Sequence, residues 1–350
     1  MAVISICIIT KNEAQKLKKC LQALEKSGAE IVVTDTGSTD DTVEIARQYT
    51  DSVYYFEWCN DFAAARNFAA SKAQNDIILM VDTDEYLTCA DWKSVYDMLD
   101  NHRGEVGRIR RINYFTRGND GNVYSEYVNR LYDRRLFRYE GAIHEQIVPA
   151  EGEVYDTFEV ELVFDHWGYE GTPEEIEAKT NRNIVLLTAE YERNPEDAYV
   201  LYQLGKSYYM KGDYDSAYEW FAKATAIDLD IRLEYVVDLI ISYGYAMINS
   251  GRQEEALGME GLMQDLGDVA EYDFLMGLIY MKNMLFAEAV DMFLEATQKN
   301  DCQMEGVNSY KAFYNVGAIY ECCGDIEKAL EYYRMCGSYS KALERIELLK

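Results

Sequence analysis

Two carboxylates stand two residues apart directly after an apolar segment in the first third of the chain. The segment is Ile77–Val81, and the acidic residues that follow it are Asp82, Asp84 and Glu85. Carboxylates that converge at a strand end can hold one oxygen-coordinated divalent ion with open positions for a ligand's phosphates. By itself the motif is better explained as a solvated acidic turn, because an acidic chain contains many such pairs. Its neighbours therefore decide between the two interpretations.

Two further polar clusters also follow apolar segments. Asp35 comes directly after Glu30–Thr34 and could accept hydrogen bonds from a base or a ribose, as an acidic residue does in dinucleotide-binding folds. The alternative is that Asp35 belongs to a turn that caps the next helix, and both interpretations can hold at once. Lys11 follows the first apolar segment and could face a diphosphate, or could be an ordinary surface lysine.

The elements that would position these residues alternate between strand and helix. Apolar runs predict four strands, at Val3–Ile9, Glu30–Thr34, Val53–Phe56 and Asp76–Val81. Helical spacing or a high alanine content predicts three helices, at Glu13–Leu24, Thr42–Tyr49 and Phe62–Ala73. Such alternation implies a mostly parallel sheet, in which ligands bind beyond the carboxyl ends of the strands. The polar clusters occupy those ends.

Residues 105–170 have an aromatic and basic composition in an otherwise acidic chain. Alternating residue types predict antiparallel strands at Gly107–Tyr114 and Val128–Phe137. Seven arginines lie in or beside these strands: Arg108, Arg110, Arg111, Arg117, Arg130, Arg134 and Arg135. The guanidinium fork fits phosphates, so these arginines could offset the acidity beside an anionic ligand. Cross-strand pairing with Glu and Asp is the alternative, and we expect it to explain most of them.

After Pro173 the strand pattern ends and an internal repeat begins. Four glycines recur at intervals of 39, 33 and 40 residues: Gly205, Gly244, Gly277 and Gly317. An alanine follows each glycine twelve residues later, and an aromatic residue follows three of the alanines, whereas the second repeat has Glu260 there. We interpret each repeat as a helix pair, with aromatic residues filling the gap between successive pairs, as in tetratricopeptide repeats. The alternative is a helical bundle without a period.

The composition narrows the classes of function. A formal net charge of −28 disfavours nucleic acid as a partner, because phosphate contacts need clustered Lys and Arg. Such a chain must bring local positive charge to an anionic ligand through a metal ion or a few basic residues. No apolar run approaches the roughly 20 residues that span a bilayer. Met1–Thr10 is more typical of a buried strand than of a signal peptide, so we expect a cytoplasmic protein.

The motifs together resemble a known family. Four segments follow one another as in inverting family 2 glycosyltransferases with the GT-A fold: SICIITKNEA, VVTDTGSTDDTVEIA, DFAAARNFA and DIILMVDTDEYL. The chain is more narrowly similar to the branch with C-terminal tetratricopeptide repeats, which includes sublancin-type peptide S-glycosyltransferases. The resemblance implies a Rossmann-like α/β GT-A catalytic domain with a mostly parallel sheet over residues 1–172. It implies an all-α tetratricopeptide-repeat domain over residues 173–350.

The same resemblance implies roles for individual residues. These would bind the nucleotide sugar, which we expect to be a UDP-sugar: Thr10, Lys11, Asn12, Glu13, Asp35, Arg66, Asp82 and Thr83. Thr36 stands where the family has a second Asp, so base recognition would rest on Asp35. Arg66 and Asn67 would lie near the donor and hold the acidic motif. Asp84 would contact a divalent cation, Mn²⁺ or Mg²⁺, directly, with Asp82 as a further ligand and Glu85 behind them.

Two later segments, Tyr139–Glu145 and Asp165–Tyr169, also resemble this branch. Glu145 is the candidate catalytic base, because an inverting reaction needs a group that takes the acceptor's proton. The alternative is that Glu145 forms an ion pair with a neighbouring arginine such as Arg134 or Arg135. His166 is the candidate third metal ligand, or a donor to the diphosphate, since neutral imidazole is a common ligand. The alternative is a structural histidine.

These features predict metal-dependent, inverting transfer of a sugar from a nucleotide-sugar donor to a peptide or protein. The repeats favour a peptide-like acceptor or a homodimer contact, because solenoids present extended surfaces. One alternative is the same chemistry on a lipid-linked or polysaccharide acceptor, which membrane-facing helices would favour. Another is a catalytically inactive, nucleotide-binding adaptor that uses its repeats to bind proteins. The intact Asp82, Asp84 and Arg66 argue against the adaptor.

Overall fold

The computed structural model describes residues 4–115, 122–152, 154–168 and 172–350. Val3, Arg117 and Tyr169, which belong to predicted features, lie outside these ranges. The chain divides into two compact units, Met1–Ile176 and Glu177–Lys350, each with its own hydrophobic core. Among the helices of the described ranges, none combines the length and apolarity needed to cross a membrane.

The first unit is built on strands with helices packed against them. Its strands are β1 Ile4–Thr10, β2 Glu30–Asp35, β3 Val53–Tyr55, β4 Ile77–Asp82, β5 Glu85–Ala90, β6 Val106–Phe115, β7 Asn122–Asp133, β8 Phe137–Glu140, β9 Gln146–Pro149 and β10 Thr157–His166. Its α-helices are α1 Ala14–Leu24, α2 Thr42–Ala46, α3 Phe62–Lys72 and α4 Trp92–Asn101. The four predicted N-terminal strands are therefore present, and α2 is shorter than predicted.

Eight of these strands form one mixed sheet in the order β3-β2-β1-β4-β7-β6-β10-β5, and β8 pairs with β9 in a separate hairpin. The four strands β3, β2, β1 and β4 are parallel to one another. β7 is antiparallel to β4 and to β6, while β10 is parallel to β6 and antiparallel to β5. The parallel half places the carboxyl ends of β1, β2 and β4 at one edge of the sheet.

The apolar run of β1 is buried on both faces of the sheet, as a central parallel strand requires. Ile6 and Ile8 pack with Leu17 and Leu21 of α1 on one face. Cys7 points to the other face, where it packs with the alanines of α3. Each fully buried Ile or Leu contributes about 1.5–3 kcal/mol. This packing fixes β1 between two helical layers and so fixes the loop that follows it.

The predicted strand Val128–Phe137 is interrupted. β7 ends at Asp133, and a turn separates it from β8, which begins at Phe137. The turn forms because the Asp133 carboxylate accepts a hydrogen bond from the backbone nitrogen of Arg135 at 2.9 Å. An aspartate that binds the backbone two residues later stabilises a turn against a continuing strand. The prediction of one continuous strand was wrong for this reason.

The second unit is helical. With α5 Pro173–Arg193, which begins in the first unit, the helices are α6 Ala198–Lys211, α7 Tyr214–Thr225, α8 Glu234–Asn249, α9 Gln253–Ala256, α10 Met263–Leu266, α11 Ala270–Lys282, α12 Phe286–Ala296, α13 Tyr310–Cys322, α14 Ile326–Met335 and α15 Ser340–Leu348. The helix pairs α6–α7, α11–α12 and α13–α14 correspond to the first, third and fourth predicted repeats. The all-α prediction for this part of the chain is confirmed.

The repeated glycines allow the two helices of one pair to touch. A Cβ on Gly205 would lie 2.9 Å from Cγ of Phe221, and a Cβ on Gly277 would lie 2.7 Å from Cδ1 of Phe293. Gly317 faces Tyr333 of α14 in the same way. The aromatic residues thus pack onto the glycine of their own repeat. Phe221 also packs with Leu239 and Ala246 of α8, so it fills the gap to the following pair as we predicted.

The second repeat departs from the pattern in its second helix. α9 ends at Ala256, and a 3₁₀ segment, Leu257–Leu262, follows before α10. Gly258 and Gly261 lie in that segment, and each glycine disfavours an α-helix by about 1 kcal/mol relative to alanine. Met259, instead of an aromatic ring, packs against Gly244. The degenerate sequence therefore produces a degenerate helix.

Candidate active site

Three predicted site residues lie at neighbouring strand ends. Thr10 ends β1 and lies opposite Asp35, which ends β2. On the other side of β1, Ile9 lies opposite Asp82, the last residue of β4. The structure therefore brings together the polar clusters that the strand pattern places at the carboxyl edge of the sheet.

Asp35 organises the turn after β2. Its carboxylate accepts hydrogen bonds from the backbone nitrogens of Gly37 at 3.0 Å and Ser38 at 3.1 Å. Gly37 has a φ of +106°, a conformation that glycine adopts without steric cost. The turn interpretation of Asp35 therefore holds, whereas the backbone nitrogen of Thr42 at the start of α2 donates to Asp40 and not to Asp35. A contact with a nucleotide would use the lone pairs that the turn leaves over, since a carboxylate has about four acceptor sites.

Asn12 joins the loops that follow β1 and β2. Its backbone nitrogen donates to the hydroxyl of Ser38 at 2.9 Å, and its side-chain oxygen accepts from the backbone nitrogen of Thr39 at 2.7 Å. The backbone of Asn12 is left-handed, with φ +54°, which Asn tolerates better than most residues. Lys11 beside it is exposed and carries a positive charge at the rim of the site.

Glu13 connects the first loop to the acidic motif. The buried hydroxyl of Thr83 donates to the carboxylate of Glu13, and Lys16 lies 3.4 Å from its other oxygen. The backbone nitrogen of Glu13 donates to Thr42 at 3.0 Å. Glu13 and Thr83 therefore hold each other and position the turn that carries Asp84.

Asp82 is held by two buried arginines. Oδ1 lies 2.8 Å from Nη2 of Arg66, and Oδ2 lies 2.6 Å from Nη2 of Arg130. Burial alone would raise the pKa of Asp82, but the charges of Arg130 and Arg66 outweigh burial and hold that pKa well below its usual value. Asp82 is consequently an ion-paired carboxylate, and both of its oxygens already contact an arginine.

Glu85 lies behind the motif with no exposed surface. Its Oε1 accepts from Arg130 at 2.9 Å and from Arg111 at 3.1 Å, and its Oε2 accepts from the backbone nitrogen of Asp82 at 2.9 Å. A buried carboxylate is stable only when it is paired and hydrogen-bonded in this way. Glu85 therefore fixes the turn between β4 and β5.

Glu145 pairs with Arg66. Nε of Arg66 donates to Oε1 of Glu145, whose side chain is 9% exposed. The expected partners have other roles: Arg134 donates to the carbonyls of Ala70 and Ala73, and Arg135 pairs with Asp133. The alternative that Glu145 forms an ion pair with an arginine therefore holds, but the expected partners Arg134 and Arg135 were wrong.

The loop that carries Glu145 is fixed on α3. The backbone nitrogen of Phe62 donates to the carbonyl of Ala142 at 2.9 Å, which brings the 141–145 loop over this helix. His144, next to Glu145, has a left-handed backbone with φ +50°. A non-glycine residue in that region carries strain and is worth attention at a candidate site. The loop, and not sequence proximity, selects Arg66 as the partner.

Asn67 does not contact the acidic motif. Its side-chain nitrogen donates to the carbonyl of Tyr139 at 2.8 Å, and its oxygen accepts from the nitrogen of Tyr139 at 2.9 Å. These two bonds pair the backbone groups of Tyr139 that a neighbouring strand would otherwise pair, and they attach β8 to α3. The prediction was right for Arg66, which holds Asp82, and wrong for Asn67.

Asp84 and His166 lie side by side. Oδ1 of Asp84 is 3.6 Å from Nε2 of His166, and their residues are 8% and 9% exposed. The backbone nitrogen of Trp167 donates to the carbonyl of Asp84 at 3.0 Å, which ties the end of β10 to the acidic turn. The sequence separates these two side chains by more than eighty residues, and the sheet brings them together.

The donor set of this pair fits a divalent cation. A carboxylate oxygen and an imidazole nitrogen are both suitable ligands for Mn²⁺. A Cβ on Gly168 would lie 2.7 Å from Cε1 of His166 and 2.9 Å from Oδ2 of Asp84, so the space beside both groups depends on glycine. Within the described ranges no three His, Cys, Asp or Glu side chains form a complete metal site. A carboxylate and an imidazole leave most coordination positions of a divalent cation to other ligands.

Comparison with protein families decides the class of this unit. The family model Glycosyl transferase family 2 matches residues 5–146, and the model Tetratricopeptide repeat matches residues 198–230. The chain carries a glycosyl transferase family 2 domain. The matched range contains the strand ends described above, the acidic motif and Glu145. His166 lies outside it.

Two curated relatives share the same sequence identity with the chain. The chain is 29% identical over 228 residues to a TPR repeat-containing protein of Synechococcus elongatus, covering 63% of this chain and 56% of that protein. It is 29% identical over 229 residues to the SPbeta prophage-derived glycosyltransferase SunS of Bacillus subtilis, covering 62% and 52%. The chain thus spans about half the length of the curated relatives it matches.

A solved structure is similar to part of the chain. It is YrrB, a TPR protein with an unusual peptide-binding site, at 21% identity and a TM-score of 0.41, covering 49% of this chain and 86% of that one.

Several residues of the family 2 domain were not singled out from the sequence. Arg130 appeared only among seven arginines, yet it pairs with both Asp82 and Glu85. Asn113 was not considered, yet its side-chain oxygen lies 2.6 Å from Nδ1 of His166. The only sequence signal for Asn113 is its spacing: it lies four positions after the apolar Ile109, and alternation places both residues on the same face of β6.

Proposed function

We propose that this chain transfers a sugar with inversion from a nucleoside diphosphate sugar, a UDP-sugar, to a peptide or protein. The observation that carries the proposal is the Asp84–His166 pair beside an arginine-held Asp82 at the carboxyl edge of a family 2 domain. Ligands bind at this edge in open α/β sheets.

Asp84 and His166 are the residues that would hold Mn²⁺ or Mg²⁺. A bound cation would act as a Lewis acid toward the departing diphosphate. Asp82 is the weaker candidate ligand, because both of its oxygens already accept from arginines. Its role is then to fix the turn and to offer its remaining lone pairs to the nucleotide.

The loops after β1 and β2 would bind the nucleotide. Thr10 and Asp35 lie at adjacent strand ends, and Asn12 holds the two loops together. Lys11 is exposed at the rim, where its charge would attract an anionic donor to an acidic protein. Glu13 and Thr83 support this edge through their mutual hydrogen bond.

Glu145 is the residue to which we assign the acceptor's proton. Arg66 holds Oε1, which leaves Oε2 to act on the acceptor. The acceptor atom forms a bond with the anomeric carbon as the bond from that carbon to the diphosphate oxygen breaks. The electron pair leaves with the diphosphate, and the acceptor's proton passes to Glu145.

A peptide or protein acceptor is favoured by the helical repeats. Stacked helix pairs present extended surfaces, and an acidic surface favours a basic or neutral acceptor segment. A second copy of the chain could use the same surface, which would make a homodimer. Mass spectrometry of peptides incubated with the enzyme, a UDP-sugar and Mn²⁺ tests the acceptor class: a hexose-sized mass increase is expected on a peptide, and its appearance on lipid-linked acceptors alone would contradict the proposal.

The reaction itself is tested by release of UDP from UDP-sugars in the presence of Mn²⁺. Asp84→Ala should lower the rate by about 10²–10³-fold, because several kcal/mol of charge stabilisation are lost. Asp97→Ala, at an exposed position of α4, is the matched control and should leave the rate unchanged. Equal rates in the wild type and Asp84→Ala would remove Asp84 from the site.

A further inference from the structure

Asn113 is buried beside His166, with 1% of its surface exposed. It lies on β6 directly opposite His166 on the parallel strand β10. Its side-chain oxygen is 2.6 Å from Nδ1 of His166. Its side-chain nitrogen donates to Oε1 of Glu126 at 2.7 Å and to the carbonyl of Tyr124 at 3.3 Å.

The orientation of the Asn113 amide follows from its neighbours. A carboxylate and a backbone carbonyl only accept hydrogen bonds, so the amide nitrogen must face Glu126 and Tyr124. Arg111 holds the same oxygen of Glu126, with Nη2 at 2.8 Å and Nε at 3.1 Å. The amide oxygen must therefore face His166.

This orientation selects one form of the imidazole. An amide oxygen only accepts, so Nδ1 of His166 has to carry a hydrogen and donate it. In a neutral ring the lone pair is then on Nε2, the nitrogen 3.6 Å from Oδ1 of Asp84. The ring nitrogen that carries the hydrogen is set by the hydrogen bond that the ring makes on its other side.

We propose that Asn113 is a positioning residue that keeps His166 in the Nδ1–H form and so presents the Nε2 lone pair beside Asp84. Glu126 acts through Asn113 by fixing its amide. The role of this lone pair in cation binding rests on the proposed function, whereas the form of the ring does not. The two ideas can therefore fail separately.

The form of the ring is measurable by nitrogen NMR on protein labelled with ¹⁵N-histidine, at a pH where the ring is neutral. The chain has three histidines, so His102→Gln and His144→Gln assign the spectrum. His166 should show a protonated Nδ1 and an unprotonated Nε2. A protonated Nε2 in the wild type would overturn the proposal.

Two variants test the cause. Asn113→Ala removes the acceptor and should allow the Nε2–H form to appear, whereas Asn129→Ala, on the adjacent strand, should leave the His166 signals unchanged. Glu126→Gln is the second variant, in case Asn113→Ala does not fold. Glu126 is partly exposed, so its replacement should preserve the fold. It should also produce a mixture of forms, because a glutamine does not force the amide orientation. A pure Nδ1–H form in both variants would refute the role of Asn113.

The link to the cation has its own measurement. With UDP present, Asn113→Ala should weaken Mn²⁺ binding by about 10–100-fold, as is usual when the hydrogen-bond partner of a metal-bound histidine is removed. A changed ring form with unchanged Mn²⁺ affinity would contradict the role of His166 as a ligand and leave the positioning of the ring by Asn113 standing.

Discussion

Replacing Gly168 by alanine should weaken cation binding while the domain stays folded. A Cβ at this position would lie 2.7 Å from Cε1 of His166 and 2.9 Å from Oδ2 of Asp84. Non-bonded carbon atoms normally approach to about 3.5–4.0 Å. The imidazole or the carboxylate must therefore move by roughly 1 Å, and both belong to the proposed cation site.

The size of the effect follows from that displacement. A misplacement of about 1 Å can cost on the order of 10²-fold in rate. We therefore expect the apparent Mn²⁺ affinity and kcat/KM to fall by about 10–100-fold. Overpacking of this kind costs about 1–3 kcal/mol of stability, which a domain with several buried strands should tolerate.

The assay is UDP release at increasing Mn²⁺ concentration, with a thermal melt to show that the variant is folded. Gly258→Ala is the control, because a Cβ there has no atom within 4 Å. The control should match the wild type. If Gly168→Ala kept the Mn²⁺ dependence of the wild type, the cation would not lie between Asp84 and His166.

Three further predictions concern stability. Arg130→Met leaves Asp82 and the fully buried Glu85 short of a partner, so the free energy of unfolding should fall by about 3–5 kcal/mol in urea titrations; no change would contradict the charge network. Burial raises the pKa of Asp273 to about 6. The Asp273 carboxyl therefore contributes to stability fully below its unfolded pKa near 4, and this contribution is lost as the pH rises through 6. Asp273→Asn should therefore stabilise the chain at pH 7.5 by up to about 3 kcal/mol and by less at pH 5, whereas an equal effect at both would be inconsistent with this titration. Phe221→Ala should destabilise the helical unit by about 3–5 kcal/mol, because the ring fills the groove above a glycine, and a loss below about 1 kcal/mol would rule out that packing.

Local patterns predicted the parallel half of the sheet and the positions of its polar ends. Continuous apolar runs such as β1 and β4 are buried on both faces, and the residue after each run must then lie at the carboxyl edge. Asp35 and Asp82 were found in this way. The repeat period similarly predicted four helix pairs, and three of them are regular, because glycine and alanine recur where two helices touch.

Partners in space could not be predicted in the same way. Glu145 pairs with Arg66, which is far away in sequence, because the 141–145 loop is fixed on α3. Arg130 could not be separated from six other arginines, since the order of the mixed sheet decides which of them reaches Asp82. Asn113 lies next to His166 only because β6 and β10 are neighbours.

A cation held by Asp84 is central to the proposed function, and binding of Mn²⁺ in the presence of UDP measures it most directly. Electron paramagnetic resonance measures the free Mn²⁺ in a titration and so gives the affinity without turnover. We predict that UDP makes the wild type bind one Mn²⁺, and that Asp84→Asn lowers this affinity by about 100-fold, or roughly 2.7 kcal/mol. Equal Mn²⁺ affinity in the two proteins would contradict the central claim.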